Sequence, residues 1–226
     1  MHDNQPGRSA REQAARLRRR SGHVLAWVAG GAALGYSLAP VLTLPGLAVG
    51  ALLGYWQLGR AGDPAAAGRW EAGAEGEEAT AALLAPLTWQ GWTVLHDRAV
   101  PGSRANLDHL LVGPLGQVVL IDSKRWTQRG GATVRTVRGR LHCGPSDRHG
   151  AVETVAWEAQ RVAAVLGVPV TAVVVVHGPR VVGAPLRVGP VTVVGPATLL
   201  PAVCAASGVR SPGLALRATA EFPPYR

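Results

Sequence analysis

In the stretch LIDSKRW, residues 120–126, Asp122 and Lys124 stand two positions apart at the end of an apolar run. Asp108 opens the preceding apolar run, in NLDHLLVG. In a β-strand residues i and i+2 share a face, so the acid and the amine would stand side by side. Such a pair suits either an ion pair at a strand end or one half of a metal-dependent site. Two carboxylates at close range repel unless one is protonated or a cation lies between them. Mg²⁺ suits that position, because it accepts one or two protein acids and keeps several waters. It can polarise a phosphate and acidify a water. An ammonium beside it would orient the water or stabilise developing negative charge. Together these are tools for phosphodiester hydrolysis.

Whether the acids meet depends on the turn between the two runs. With a four-residue turn, Gly113 to Gly116, Asp108 falls opposite Ile121 and faces away from Asp122. With a five-residue turn through Gln117, or with a bulge, Asp108 falls opposite Asp122 and both face one way. The hydrolytic reading requires the second arrangement, and the sequence leaves both open.

The elements around these residues follow from periodicity. The segment 72–87 is alanine-rich, with Ala79, Leu83, Leu84 and Leu87 at helical spacing. WTVLHD reads as a strand. LDHLLVG and QVVLIDS form a hairpin of two almost continuously apolar strands, expected to be covered on both faces. ATVRTV and GRLHCG suggest a more exposed hairpin turning at Arg138 to Arg140. AVETVAWEAQRVAAVLG is a helix ending at Gly167. PVTAVVVVHG is an interior strand, and VTVVGPATLLPAV a last strand and helix. This order predicts an α/β domain with a mixed central sheet flanked by helices. His109, inside an apolar strand, reads as a satisfied core histidine.

GAEGEE, then NLDHLLVGPLGQVVLIDSKRW, then WEAQ is an order that resembles the NERD family, the nuclease-related domain. That family is similar to nucleases of the PD-(D/E)xK superfamily. The resemblance spans about Gly73 to Gln160, with weaker similarity to about Pro201, and implies a restriction-endonuclease-like fold. It implies that Asp108 and Asp122 bind Mg²⁺ or Mn²⁺, that Lys124 is the catalytic lysine, that Glu77 is the helix carboxylate, and that Gln160 completes the site. One departure bears on activity: many members carry Glu where this chain has Asp122. Read without the resemblance, Glu77 would be an acid favoured by the positive end of a helix. Asp122 with Lys124 would then be a rim ion pair of small value, and Gln160 a surface amide.

Arg125, Arg129, Arg135, Arg138, Arg140 and Arg148 follow Lys124, with Asp147 the only acid among them. Beside a metal site such a cluster would hold a nucleic-acid backbone without reading its sequence. Trp126 would stack on a base or support the site from behind. The plain alternative is a solvated basic face.

The whole chain has 226 residues and a formal net charge of +9, nearly all from arginine, since Lys124 is its only lysine. That balance suits phosphate-bearing partners, either DNA or anionic lipid. The two cysteines, Cys143 and Cys204, match no zinc or redox spacing. The composition suits a high-GC bacterial genome. Mean hydropathy is +0.14, and no Asp, Glu, Lys or Arg occurs from His23 to Leu58. As one helix that run would measure roughly 54 Å, against about 30 Å for a bilayer core. Pro40 and Pro45 break it. The expectation is a transmembrane helical hairpin over 23–58, with arms near 24–38 and 41–58. Six arginines precede it, Arg60 and Arg69 follow it, and its turn has none, so both ends should face the cytoplasm of the inner or plasma membrane. A signal peptide fits poorly.

The expected organisation is a basic tail over 1–22, the hairpin over 23–58, a linker over 59–69, the nuclease-like domain over 70–201 and an irregular tail over 202–226. The expected function is membrane-tethered, metal-dependent DNA hydrolysis. The alternative is a non-catalytic module at the membrane that binds nucleic acid or a protein.

Overall fold

The computed structural model describes residues 5–18, 29–30, 33, 48–49, 52, 64–127 and 131–225. They fall into two compact units, one of Met1–Ser9 with Gly73–Arg226 and one of Ala10–Ala72. The helices are α1 over 8–18, α2 Pro64–Trp89, α3 His149–Leu166, α4 Pro196–Cys204 and α5 Leu214–Glu221. The strands are β1 Thr93–Ala99, β2 Asn106–Val112, β3 Val118–Arg125, β4 Thr133–Val137, β5 Arg140–Cys143, β6 Ser146–Asp147, β7 Thr171–His177, β8 Arg180–Val181, β9 Leu186–Val188 and β10 Val191–Val194.

The main sheet has the order β1-β2-β3-β7-β10-β9. β3, β7 and β10 are parallel neighbours, and the remaining pairs are antiparallel. The fold is therefore mixed α/β with a mixed central sheet between helices. The sheet's interior strands are runs of Val, Leu and Ile, which suit a pleated surface covered on both sides. Leu110, Leu120, Val174 and Val176 pack beneath α3 and α5. Leu111, Ile121, Val173 and Val175 pack beneath α2 and α4. A smaller sheet, β6-β5-β4-β8, joins the main one where β3 and β7 end.

The turn between β2 and β3 has five residues. His109 pairs with Ile121 and Val112 with Val118, so the register runs on to bring Asp108 level with Asp122. Gly113 N–H donates to the Gln117 carbonyl at 2.8 Å and Gln117 Oε1 accepts from Leu115 N–H at 3.0 Å, closing the turn on itself. Gly116 has φ +82°, and a Cβ there would lie 2.2 Å from the Val209 carbonyl oxygen, so only glycine fits.

Several boundaries differ from the sequence reading. α2 starts at Pro64, so residues 64–69, expected as linker, are helical. Glu77 is consequently mid-helix, not a first-turn acid. The tail expected to be irregular from 202 is ordered. It carries the end of α4, the whole of α5, and a segment that runs along the free edge of β1. There Ala99 N–H donates to the Pro223 carbonyl at 2.8 Å, and Tyr225 N–H to the Asp97 carbonyl at 2.9 Å. Phe222 is fully buried in the core under α3. The weak periodicity of this tail hid an anchoring aromatic and an edge cover, both set by tertiary contacts. Of the hairpin expected over 23–58, only residues 29–30, 33, 48–49 and 52 are described, all helical. The rest of it, with residues 59–63, lies outside the described residues. Among the described residues no helix is long and apolar enough to cross a membrane.

Candidate active site

Strand alternation sets the site. Leu110 and Leu120 face α3, so Asp108 and Asp122, each two residues along, face the same way, and Lys124 follows Asp122. Lys124 Nζ lies 2.7 Å from Asp122 Oδ1. Asp108 Oδ2 accepts the Ser123 backbone N–H at 2.8 Å, which ties its carboxylate to the end of β3. The three residues thus converge at the carboxyl end of β3, beside the equally directed end of β7.

Two further carboxylates bear on this group. Glu77 comes from α2 and is 7% exposed; Glu158 comes from α3 and is 5% exposed. Burial, with the charges of Asp108 and Asp97, pushes the Glu77 carboxyl up to about 9, although a hydrogen bond with the Gly7 backbone opposes this. Burial and the charges of Asp122 and Asp108 push Glu158 up to about 8. Burial and the Asp122 charge raise Asp108 to about 7. Asp122 is raised by burial against the pull of Lys124. Burial works against the Lys124 ammonium, but Asp122 and Asp108 more than offset it and hold the amine above the ordinary lysine value. One cation therefore serves more carboxylates than it can neutralise.

That excess leaves its mark on individual atoms. Asp122 Oδ2 and Glu77 Oε2 are buried and have no hydrogen-bond partner among the described residues. A buried, unsatisfied carboxylate oxygen carries a desolvation cost that a bound cation would offset. Among the described residues no three His, Cys, Asp or Glu side chains form a ready-made ligand set. A hard cation that keeps most of its waters needs fewer protein ligands than that. The residues present thus fit Mg²⁺ or Mn²⁺ better than a fully caged ion such as structural zinc.

Residues 72–177 match the nuclease-related domain family, NERD. The match runs from early α2 through β7 and takes in every residue of this cluster. No curated protein and no solved structure matches the chain.

Other positions named from the sequence fare differently. Within the NERD segment Gln160 is exposed on α3 and is not brought to the carboxylates. Glu158, two residues earlier, is buried and senses the charges of Asp122 and Asp108. Its signal was present in the sequence, as a charged residue at the inward spacing between Val155 and Val162. Trp126 is half-buried against the core, and the Arg148 guanidinium lies 5.4 Å from its ring centroid. That cation covers part of the face a base would stack on. Arg125 is exposed and pairs with Glu75 at 3.3 Å. Arg135 and Arg138 are exposed on β4 and its turn, and Arg140 is held by Asp147 at 2.8 Å. Arg129 lies outside the described residues. His109 is fully buried with both ring nitrogens engaged, as a core histidine should be.

Proposed function

We propose that the nuclease-related domain is a divalent-metal-dependent deoxyribonuclease of restriction-endonuclease-like architecture. The observation that carries this reading is the convergence of Asp108, Asp122 and Lys124 on one face at the end of β3, with a buried Asp122 oxygen left unsatisfied. Asp108 and Asp122 would hold Mg²⁺ or Mn²⁺, with Glu77 beside them. Bound there, the ion would polarise the scissile phosphate and acidify a water. Lys124 Nζ holds a fixed positive charge where the phosphoryl oxygens gain negative charge during attack. Glu158, buried and held above the ordinary carboxylate range by burial and by the charges of Asp122 and Asp108, would be the candidate proton donor toward the leaving oxygen as the P–O bond breaks. The smaller sheet, joined at this end of the main one, carries the exposed Arg135 and Arg138, which would hold the phosphate backbone of DNA.

The uncharged run 23–58 supports a tether to the bacterial inner or plasma membrane, with the domain on the cytoplasmic side. Membrane fractionation followed by protease treatment of intact and opened spheroplasts tests this. Protection of the domain only in intact cells is the expected result.

The close Asp122–Lys124 ion pair favours a second reading, a module that holds nucleic acid or a protein without cutting, since the pair partly satisfies the acid unaided. One experiment separates the two. The purified full chain is incubated with plasmid DNA and Mg²⁺ or Mn²⁺, beside Lys124→Ala and Asp122→Asn. Metal-dependent nicking that falls at least about 100-fold in both variants supports hydrolysis. Salt-sensitive binding without cleavage, unchanged in both, supports the second reading.

A further inference from the structure

Behind the carboxylates, on the opposite face of the sheet, runs an unbroken row of buried and half-buried polar side chains. His96 Nδ1 meets His109 Nδ1 at 2.7 Å, and His109 Nε2 meets Ser123 Oγ at 3.1 Å. Ser123 Oγ lies 2.8 Å from Thr80 Oγ1, and Thr80 Oγ1 lies 2.8 Å from His177 Nε2. The row ties β1, β2, β3 and β7 to α2. His109, Ser123, Thr80 and His177 are all buried. Hydrophobic residues fill this layer elsewhere, and burying these four polar side chains in it is costly unless each is satisfied.

The row lies where the backbone ladder stops. The β2–β3 pairing ends at His109 with Ile121, one step before the acids. Beyond that step side chains of β2 reach across to Ser123. On the site face the Asp108 carboxylate accepts from Ser123 N–H. On the other face His109 meets Ser123 Oγ. Ser123 is thus gripped from β2 on both faces, and it sits between Asp122 and Lys124 in sequence.

We propose that Ser123, clamped by Thr80 and His109, is a positioning residue that fixes the separation of Asp108 from Asp122 and so the site's affinity for a divalent cation. This rests on the metal-dependent reading of the site. The clamp also orients the hydrogen bonds along the row. With Ser123 Oγ–H donating to Thr80, His109 must donate from Nε2, and its bare Nδ1 then accepts from His96 Nδ1–H. Removing one hydroxyl leaves a buried imidazole or hydroxyl without its partner, and the end of β3 is then free to shift against β2. Partners that orient metal ligands in this way commonly change affinity by about 10- to 100-fold when removed.

The test uses the full chain and Mn²⁺ affinity, measured by calorimetry without DNA. Thr80→Val removes the hydroxyl at nearly constant shape, Thr80→Ser keeps it, and Ser123→Ala removes the other half of the clamp. The expected result is a loss of about 10- to 100-fold in Mn²⁺ affinity for Thr80→Val and Ser123→Ala, with near-wild-type affinity in Thr80→Ser. Amide hydrogen exchange at Ser123 should also speed up in Thr80→Val while distant strands keep their protection. Wild-type affinity in a folded Ser123→Ala or Thr80→Val would overturn the clamp and leave the metal site standing. Wild-type protein that binds no Mn²⁺ would overturn both the metal site and the clamp.

Discussion

Lys124 Nζ and Asp122 Oδ1 form a 2.7 Å ion pair between residues two apart on one strand, with the acid buried and the amine one-third exposed. The pair engages one carboxylate oxygen and leaves Oδ2 unsatisfied among the described residues. A cation arriving at Oδ2 therefore does not have to displace the lysine. Removing the amine leaves the buried Asp122 carboxylate without its cation, so Lys124→Ala should be destabilised by up to about 3–5 kcal/mol unless the acid takes up a proton. Urea unfolding of Lys124→Ala beside the nicking assay separates loss of cleavage from loss of fold.

Glu158 and Gln160 should behave oppositely. Glu158→Gln removes a buried acid that senses Asp122 and Asp108, and cleavage is expected to fall by about 10²–10⁴. Gln160→Ala changes an exposed side chain and should leave stability within about 0.5 kcal/mol, with cleavage rates close to wild type. Steady-state nicking assays on the two variants check this, and equal effects would remove Glu158 from the site.

Acidity should couple to stability in a defined direction. Glu77, Glu158 and Asp108 are raised to about 9, 8 and 7 in the fold. Above their unfolded values the native state holds protons that the unfolded state has lost, so stability declines as pH rises through the folded values. The histidines act in the opposite sense. Burial, with the Arg98 charge, lowers His96 to about 4, and burial lowers His109 and His177, so their effect grows as pH rises and is complete above the ordinary histidine value. Between pH 7 and 9 only the carboxylates remain in play. Melting in EDTA should show Tm falling across that window, with a shallower fall in Glu77→Gln. Added Mg²⁺ should raise Tm more at pH 9 than at pH 7, because it favours the ionised carboxylates.

The arginines should divide by their partners. Arg135→Ala and Arg138→Ala should each weaken DNA binding across sequences and lower the salt slope by about 1. Arg140→Ala should do less, because Asp147 already holds its guanidinium. Fluorescence anisotropy at several salt concentrations in EDTA measures binding without cleavage.

Phe222→Ala should cost about 3–5 kcal/mol, the range for emptying a buried aromatic position. Urea unfolding reads the loss. A variant as stable as wild type would mean that the tail contributes little to the core.

The sequence carried much of this arrangement. The apolar runs around Leu110, Leu120 and Val174 have lengths and flanking turns that allow little except interior strands, and Gly167 ends α3 in the left-handed conformation that glycine favours. Asp122 and Lys124 were legible because period-two spacing is local. Asp108 was only half legible, since its face depended on one residue of turn length. Gln160 follows from the family resemblance, whereas the helical phase of Val155 and Val162 points inward at Glu158. The row from His96 to His177 had no sequence signal, as its members come from five elements and meet only in three dimensions. The same holds for the tail, whose anchor Phe222 is a single aromatic in a weakly periodic stretch.

The turn from Gly113 to Gln117 acts as a phase setter for the chemistry. Pleated strands invert every side chain when slipped by one position. Removing or adding a single residue there would turn Asp108 toward α2 while Asp122 stayed facing α3, separating the acids without altering either one. Gly116 is closed in by the Val209 carbonyl, which leaves this turn no room for a side chain at that position. Length variation should therefore be tolerated far better at the Arg138–Gly139 turn, where a Cβ on Gly139 meets nothing within 4 Å, than at this one.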